Sequence, residues 1–290
     1  MHYEGDIYRP PSEAYSLIVQ ATVGCTHNKC TFCPNYKADK FKVKPFEIVF
    51  EDLMEARSYY SHVERVFFAD GDVLCLTYDK LMRLLDAVRG IFPECTRVGV
   101  YSRASQILKK SDDELRSLLD AGLGILYVGA ESGSDEVLRR VNKGETAEDI
   151  VVAVQKAEAS GIKTSVTFIS GLGGKELAEE HAVKTGEMIS AMGAAYVGLL
   201  TLMLMPQAPI YADVQSGKFV QLTPVEALDE LEVMIGNINC EKETIFRSNH
   251  ASNWLELKGT FPQDKGRLIE QIRRAKAEPH MLKADSRRRL

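Results

Sequence analysis

Gly24-Cys25-Thr26-His27-Asn28-Lys29-Cys30-Thr31-Phe32-Cys33 places three cysteines within nine residues, directly after an apolar run over 16–22 that reads as a strand. Three thiolates this close hold three corners of an iron–sulfur cube, where a fourth would close it. The remaining iron then has an open coordination position, which is what separates a reactive metal site from a structural one. A disulfide with a spare thiol would need an oxidising compartment, yet the opening Met1-His-Tyr-Glu-Gly-Asp6 is polar and acidic, with no secretory signal. A zinc site of Cys25, His27, Cys30 and Cys33 would crowd its ligands, because structural zinc sites take two pairs separated by about a dozen residues or more. A cluster suits this spacing better than zinc or a disulfide.

Outward from the cysteines, apolar β-rich runs alternate with amphipathic helical ones. Strands are expected over 16–22, Arg65–Ala69, Arg97–Ser102, 125–131, Lys163–Ser170 and 195–205. Helices are expected over 46–60 and through Leu81, Leu84, Leu85, Val88 and Ile91, the spacing of one buried face. Ser111 with Glu114 forms a capping box, Thr146 with Asp149 another start, and Gly161 suits a helix end. Near-continuous apolar strands alternating with helices imply a parallel sheet covered by helices, either open or a partial barrel. Chemistry in such folds sits at the C-terminal strand ends. Those ends carry Asp70-Gly71-Asp72, Tyr101-Ser102-Arg103, Glu131-Ser-Gly133, Ser170-Gly-Leu-Gly-Gly174 and Met205-Pro-Gln-Ala-Pro209. Each alone is ordinary turn chemistry. Together they put polar groups around one rim.

At these residues the chain resembles the radical S-adenosylmethionine (SAM) superfamily, in its coproporphyrinogen-oxidase-like and elongator-catalytic-subunit-like branch. The family carries its cluster cysteines in a loop after the first strand, the last one following an aromatic residue near the adenine, here Phe32. The family has three residues between the first two cysteines; this chain has four. The resemblance implies an α/β fold, a partial (β/α)6 barrel over residues 14–206. A 1–13 arm would precede it, and a small C-terminal extension, 207–290, would close it. It also implies a 4Fe–4S cluster on Cys25, Cys30 and Cys33, with SAM on the open iron. Asp70, Gly71 and Asp72 stand where a Gly-Gly-Glu motif contacts the SAM amino group. Glu131 stands at a nucleoside contact, Lys143 where a basic residue meets the SAM carboxylate, and Thr167 at a ribose contact. Arg103 would reach the same carboxylate or the substrate, and Tyr101, Ser102 and Met205 complete the cofactor-facing set by their places on the rim.

Plainer readings stand beside these: a solvated loop for Lys143, a β-former for Thr167, a surface arginine for Arg103. Farther on, Arg247-Ser-Asn-His-Ala-Ser-Asn253 is dense in hydrogen-bonding side chains. Arg247, Asn249, His250 and Asn253 are therefore expected at the substrate end, with a capped helix start as the bland alternative.

The function implied is reductive cleavage of SAM to a 5′-deoxyadenosyl radical that abstracts hydrogen from a small-molecule substrate. A one-electron donor such as flavodoxin or ferredoxin would supply the electron. The remaining cysteines, Cys75, Cys95 and Cys240, form no second cluster motif, which disfavours sulfur insertion of the methylthiotransferase kind. No cobalamin-binding or acetyltransferase domain is expected, and Pro34-Asn35 stand where coproporphyrinogen oxidases carry a further cysteine. The alternatives are a haem- or metal-trafficking protein on the same scaffold and a zinc-stabilised structural barrel. Net charge is −5 over 290 residues, which gives no support for nucleic-acid binding, and Arg287-Arg-Arg289 reads as a solvated tail. Residues 188–212 carry no charge, but Gly193, Pro206 and Pro209 break them, so they read as a helix end, a turn and a buried strand. A cytoplasmic, reduced protein is expected, whose spare cysteines are buried thiols.

Overall fold

In a computed structural model describing residues 1–289, strands and helices alternate through most of the chain. The first strand, β1 (Leu17–Gln20), leads into a two-residue strand, β2 (Thr22–Val23). The cysteine stretch then leads to β3 (Lys42–Val43), antiparallel to β2. There follow α1 (Phe46–Tyr59), β4 (Arg65–Ala69), α2 (Tyr78–Ile91), β5 (Arg97–Ser102), α3 (Ala104–Lys109) and α4 (Asp112–Asp120). Next come β6 (Leu123–Glu131), α5 (Asp135–Arg140), α6 (Ala147–Ser160), β7 (Lys163–Ser170), α7 (Ala178–Met192) and β8 (Tyr196–Thr201). The chain continues as α8 (Ile210–Gln215), α9 (Pro224–Gly236), β9 (Thr244–Ser248), β10 (Leu257–Phe261) and α10 (Lys265–Ala277).

The strand positions follow from pattern. Val66 to Ala69 are buried without interruption, as expected of a parallel strand covered on both faces. The helix starts follow from caps. Ser111 and Glu114 make the expected capping box at α4, and Thr146 Oγ1 donates to Asp149 (2.7 Å) ahead of α6. Gly161, at φ +94°, supplies the left-handed residue that ends α6.

The residues divide into two compact units. One comprises Met1–Asn28, Asn35–Val128 and Lys156–Thr164; the other comprises Lys29–Pro34, Gly129–Gln155 and the chain from Ser165 onward. In the first, β1, β4, β5 and β6 lie side by side in that order, all parallel. The N-terminal residues are packed on this unit. The His2 amide donates to Asp52 (2.7 Å), the Glu4 amide to Gln20 (2.9 Å) and the Tyr3 hydroxyl to the Ile18 carbonyl (2.6 Å). Fully buried Glu13 accepts from Arg97 at 2.6 Å.

In the second unit β7, β8 and β9 run parallel, and β10 pairs antiparallel with β9. Val166, Phe168 and Ser170 of β7 are buried, whereas Ser165, Thr167 and Ile169 are half-buried, and β8 repeats that alternation. Helix α9 packs against both α7 and α10. The C-terminal residues add two strands to β8 and three helices. Three expectations need correction here. The sixth core strand stops at Thr201 rather than residue 205. Arg288 is no solvated tail residue: it is 7% exposed, stacks 3.8 Å over the Trp254 ring and donates to the Ser252 (2.6 Å) and Leu202 (3.2 Å) carbonyls. Of the spare cysteines only Cys240 is buried; Cys75 and Cys95 are half-buried.

Candidate active site

In the first unit, the turn after β4 is built onto the start of the cysteine loop. Asp70 is 1% exposed and accepts from Gln20 Nε2 and the Tyr36 hydroxyl, each at 2.9 Å, while its own amide donates to Thr22 Oγ1 at 3.2 Å. Burial raises the Asp70 carboxyl above its ordinary range, and the Gln20 and Tyr36 hydrogen bonds oppose that rise. Burial, followed by the neighbouring Asp70, also raises the Tyr36 phenol. Asp72 is fully buried; it accepts from Thr26 Oγ1 and from the Arg103 amide at 3.3 Å. Gly71 lies flat against the loop. A β-carbon there would stand 3.0 Å from Cys25 Cβ and 3.0 Å from the Tyr36 ring. The loop itself is pinned by Asn28, at φ +43°, whose amide donates to the Tyr36 carbonyl at 2.6 Å.

The two aspartates expected at the SAM amino group thus spend their carboxylates on the protein. Both carboxylates brace the strand end and the cysteine loop. Ser102 donates to the Arg103 carbonyl at 2.9 Å, and Tyr101 packs edge-on to Phe67 with centroids 5.1 Å apart. Arg103, half-buried, opens α3. Tyr36, Thr26 and Gln20 were not foreseen. Nothing in the local pattern marks them, since each acts through a residue at least 34 positions away.

In the second unit, the turn after β6 carries a buried ion pair. Glu131 has φ +69°, and its Oε1 lies 3.1 Å from Lys143 Nζ, both residues less than a tenth exposed. The pair folds back over Gly129, where a β-carbon would sit 2.2 Å from Glu131 Oε1. Burial pulls the Lys143 ammonium down, but Glu131, then the Cys30 thiol and Glu145, carry it above its ordinary value. Lys143 is therefore a buried partner of Glu131 and not a solvated loop lysine.

Cys30 and Cys33 pack against an apolar cluster of Phe32, Val137, Val141, Leu172, Leu202 and Ile210, and Met205 joins them. The Thr31 amide donates to the Val141 carbonyl at 2.9 Å, and the Ile210 amide to the Thr31 carbonyl at 2.9 Å. The Cys30-Thr-Phe-Cys33 arc is thereby held from both sides. Thr167 lies on the half-buried face of β7.

The residues expected at the substrate end differ in exposure and in partners. Asn253 is 2% exposed, accepts from Thr201 Oγ1 and donates to the Leu199 carbonyl, each at 2.8 Å, so its amide ties β8 in place. Arg247 is exposed on β9 and donates to the Phe246 (2.8 Å) and Gly259 (3.2 Å) carbonyls. His250 Nδ1 lies 2.9 Å from Ser252 Oγ, and burial lowers the imidazole pKa. Asn249 is exposed. The stretch opens a turn after β9, not a helix.

The sequence matches the Radical SAM superfamily over residues 19–186, more than half of its length. The chain belongs to the Radical SAM superfamily. It is 24% identical over 171 residues to the 4′-phospho-dehydrooxetanocin synthase of Priestia megaterium, a match covering 53% of this chain and 23% of that one. It is 21% identical over 178 residues to the heme chaperone HemW of Bacillus subtilis, covering 61% and 46%. The chain thus spans between about a quarter and a half of the length of these relatives. Among solved structures, coproporphyrinogen III oxidase HemN of Escherichia coli, a radical SAM enzyme, shares the fold at a TM-score of 0.56, with 20% identity over 76% of this chain and 51% of that one. The fold is accordingly α/β with a mostly parallel sheet, of the partial-barrel kind expected.

A 4Fe–4S cluster and SAM are the cofactors of this family and of this member. The residues present fit them. All three loop cysteines are free thiols, partly exposed. Gly71 brings bare backbone against Cys25, and Cys30 lies beside a buried lysine and an apolar wall. Among the described residues no group of three or more His, Cys, Asp or Glu side chains converges as it would around a single metal ion. A cluster spreads its thiolates over separate irons and needs no such convergence. Among the described residues no helix is long and apolar enough to cross a membrane.

Proposed function

We propose that this chain is an enzyme in which Cys25, Cys30 and Cys33 hold the cluster and SAM is cleaved to act on a small-molecule substrate. When bound, cluster and SAM supply one-electron cleavage of a carbon–sulfur bond and a 5′-deoxyadenosyl radical that takes hydrogen from the substrate. The observation that carries the reading is the loop of three unbridged thiols after β1, in a chain of this superfamily.

The protein's own part is binding and orientation. The Asp70-Gly71-Asp72 backbone offers carbonyls to the SAM ammonium, because its carboxylates are already engaged. Lys143 presents a point charge to the SAM carboxylate and Glu131 accepts from the ribose hydroxyls; each holds the other in place meanwhile. Phe32 and Met205 supply the apolar wall beside Cys30 and Cys33. His250 and Asn249 remain the candidates for substrate contact in the turn after β9. A flavodoxin or ferredoxin supplies the electron.

The test is 5′-deoxyadenosine formation by anaerobically reconstituted protein given dithionite and SAM. The reading expects product from the wild type and none from Cys33→Ala. A full, reducible cluster that yields no product would contradict it. The HemW match makes haem titration the next measurement in that event.

A further inference from the structure

His181, in the first turn of α7, and Glu230, in α9, are both fully buried in the second unit, and the roles above use neither. Glu230 Oε1 accepts from Ser170 Oγ and from the Gly171 amide, each at 2.7 Å. His181 Nδ1 lies 2.7 Å from Ser132 Oγ, which itself accepts from the Ser134 amide at 3.0 Å. The contact at Nδ1 allows either direction; with the imidazole proton assigned to Nε2, Ser132 donates to Nδ1. That nitrogen stands 4.0 Å from Glu230 Oε1, and His181 Nε2 and Glu230 Oε2 are the two atoms of the pair with no hydrogen-bond partner among the described residues. The opposite tautomer would set a lone pair against a carboxylate, so the assignment is also the electrostatically sound one.

The chain of groups runs Ser132, His181, Glu230, Gly171. Its ends are the turn after β6, next to Glu131, and the glycine turn after β7. Helix α7 grips the first of these at successive residues. The Gly133 amide donates to Thr185 Oγ1 (3.0 Å) and Ser134 Oγ to Glu180 (2.6 Å), and a β-carbon at Gly133 would stand 2.2 Å from the Lys184 carbonyl oxygen. Leaving buried polar atoms unpaired costs stability, and an apolar pair of similar volume would avoid that cost. The arrangement thus costs stability while tying the Glu131-bearing turn to the glycine turn after β7.

We infer that His181 and Glu230 are positioning residues that lock the Glu131-bearing turn and the 171–174 turn to one another for SAM. Neither touches the cofactor; each acts through the backbone it holds. The inference rests on the SAM-binding reading above.

The test uses the reconstituted protein and two readouts, amide hydrogen exchange without SAM and the SAM Kd by equilibrium dialysis. His181→Ala is expected to speed exchange at 132–134 and also at 171–174. It should raise the Kd about tenfold, the equivalent of one lost hydrogen bond, while the rate of 5′-deoxyadenosine formation at saturating SAM changes less than about twofold. His181→Asn, whose amide can still meet Ser132, should restore exchange at 132–134. Should His181→Ala fail to fold, Ser132→Ala and Ser170→Ala cut the same links from the turns. Faster exchange confined to the mutated turn, with an unchanged Kd, overturns the inference. A wild type that binds no SAM overturns instead the reading on which it stands.

Discussion

The turn after β4 and the turn after β6 both end an apolar strand in acids, yet they treat those acids in opposite ways. Asp70 accepts from Gln20 and the Tyr36 hydroxyl, and Asp72 from Thr26 and the Arg103 backbone amide. Glu131 faces a lysine, in a left-handed backbone conformation, on a turn gripped by α7. The first arrangement fixes a loop, and the second holds a buried charge pair, which the proposed function assigns to a charged ligand. A carboxylate at a strand end is thus a brace or a binding group according to its partners, which no reading of the strand end alone reveals.

The sharpest way to break this comparison is Lys143→Met. It leaves Glu131 buried without its cation, which costs about 3–5 kcal/mol in buried pairs of this kind. Denaturant unfolding should show that loss, smaller when Glu131→Gln is added, and the SAM Kd should rise while iron content per chain stays at the wild-type level. Equal loss of iron would erase the distinction between the turns.

Thr26→Val probes the other side. Removing one donor from buried Asp72 is expected to cost about 1–3 kcal/mol. Here iron content after reconstitution should fall, and the SAM affinity of the clustered fraction should hold. A preserved iron content with weakened SAM binding would make Asp72 a cofactor contact after all.

The smallest effect concerns acid. Because the folded state raises the Asp70 pKa, it binds that proton more tightly than the unfolded chain does. The contribution of Asp70 therefore becomes more favourable as pH falls from its raised pKa towards about 3.8. The stability gap between wild type and Asp70→Asn should move in favour of the wild type between neutral and mildly acid pH. A gap that moves the other way would mean that Asp70 is held ionised.

Local rules made much of the first two hundred residues legible. Arg65–Ala69, Arg97–Ser102 and Lys163–Ser170 are strands with the bounds expected from their apolar runs. Ser111, Thr146 and Gly161 punctuate helices as their cap chemistry requires. The cysteine spacing pointed to a cluster loop because few chemistries use three thiols so close together. What escaped was set by long-range partners. His181 meets a glutamate 49 residues on, and Arg288 finds the Trp254 ring 34 residues back. Asn253 looked like a substrate contact because it stood among polar side chains, yet the carbonyl that claims its amide is on β8. Sequence periodicity carries no term for such pairings.

The central claim, a cluster on Cys25, Cys30 and Cys33 with one iron open to SAM, is tested most directly by electron paramagnetic resonance of the dithionite-reduced, reconstituted protein before and after SAM is added. The account predicts a cluster signal that changes on SAM addition in the wild type and in Thr26→Val to the extent that it holds iron, and no such signal in Cys33→Ala. A full-intensity signal that SAM leaves unaltered would contradict it.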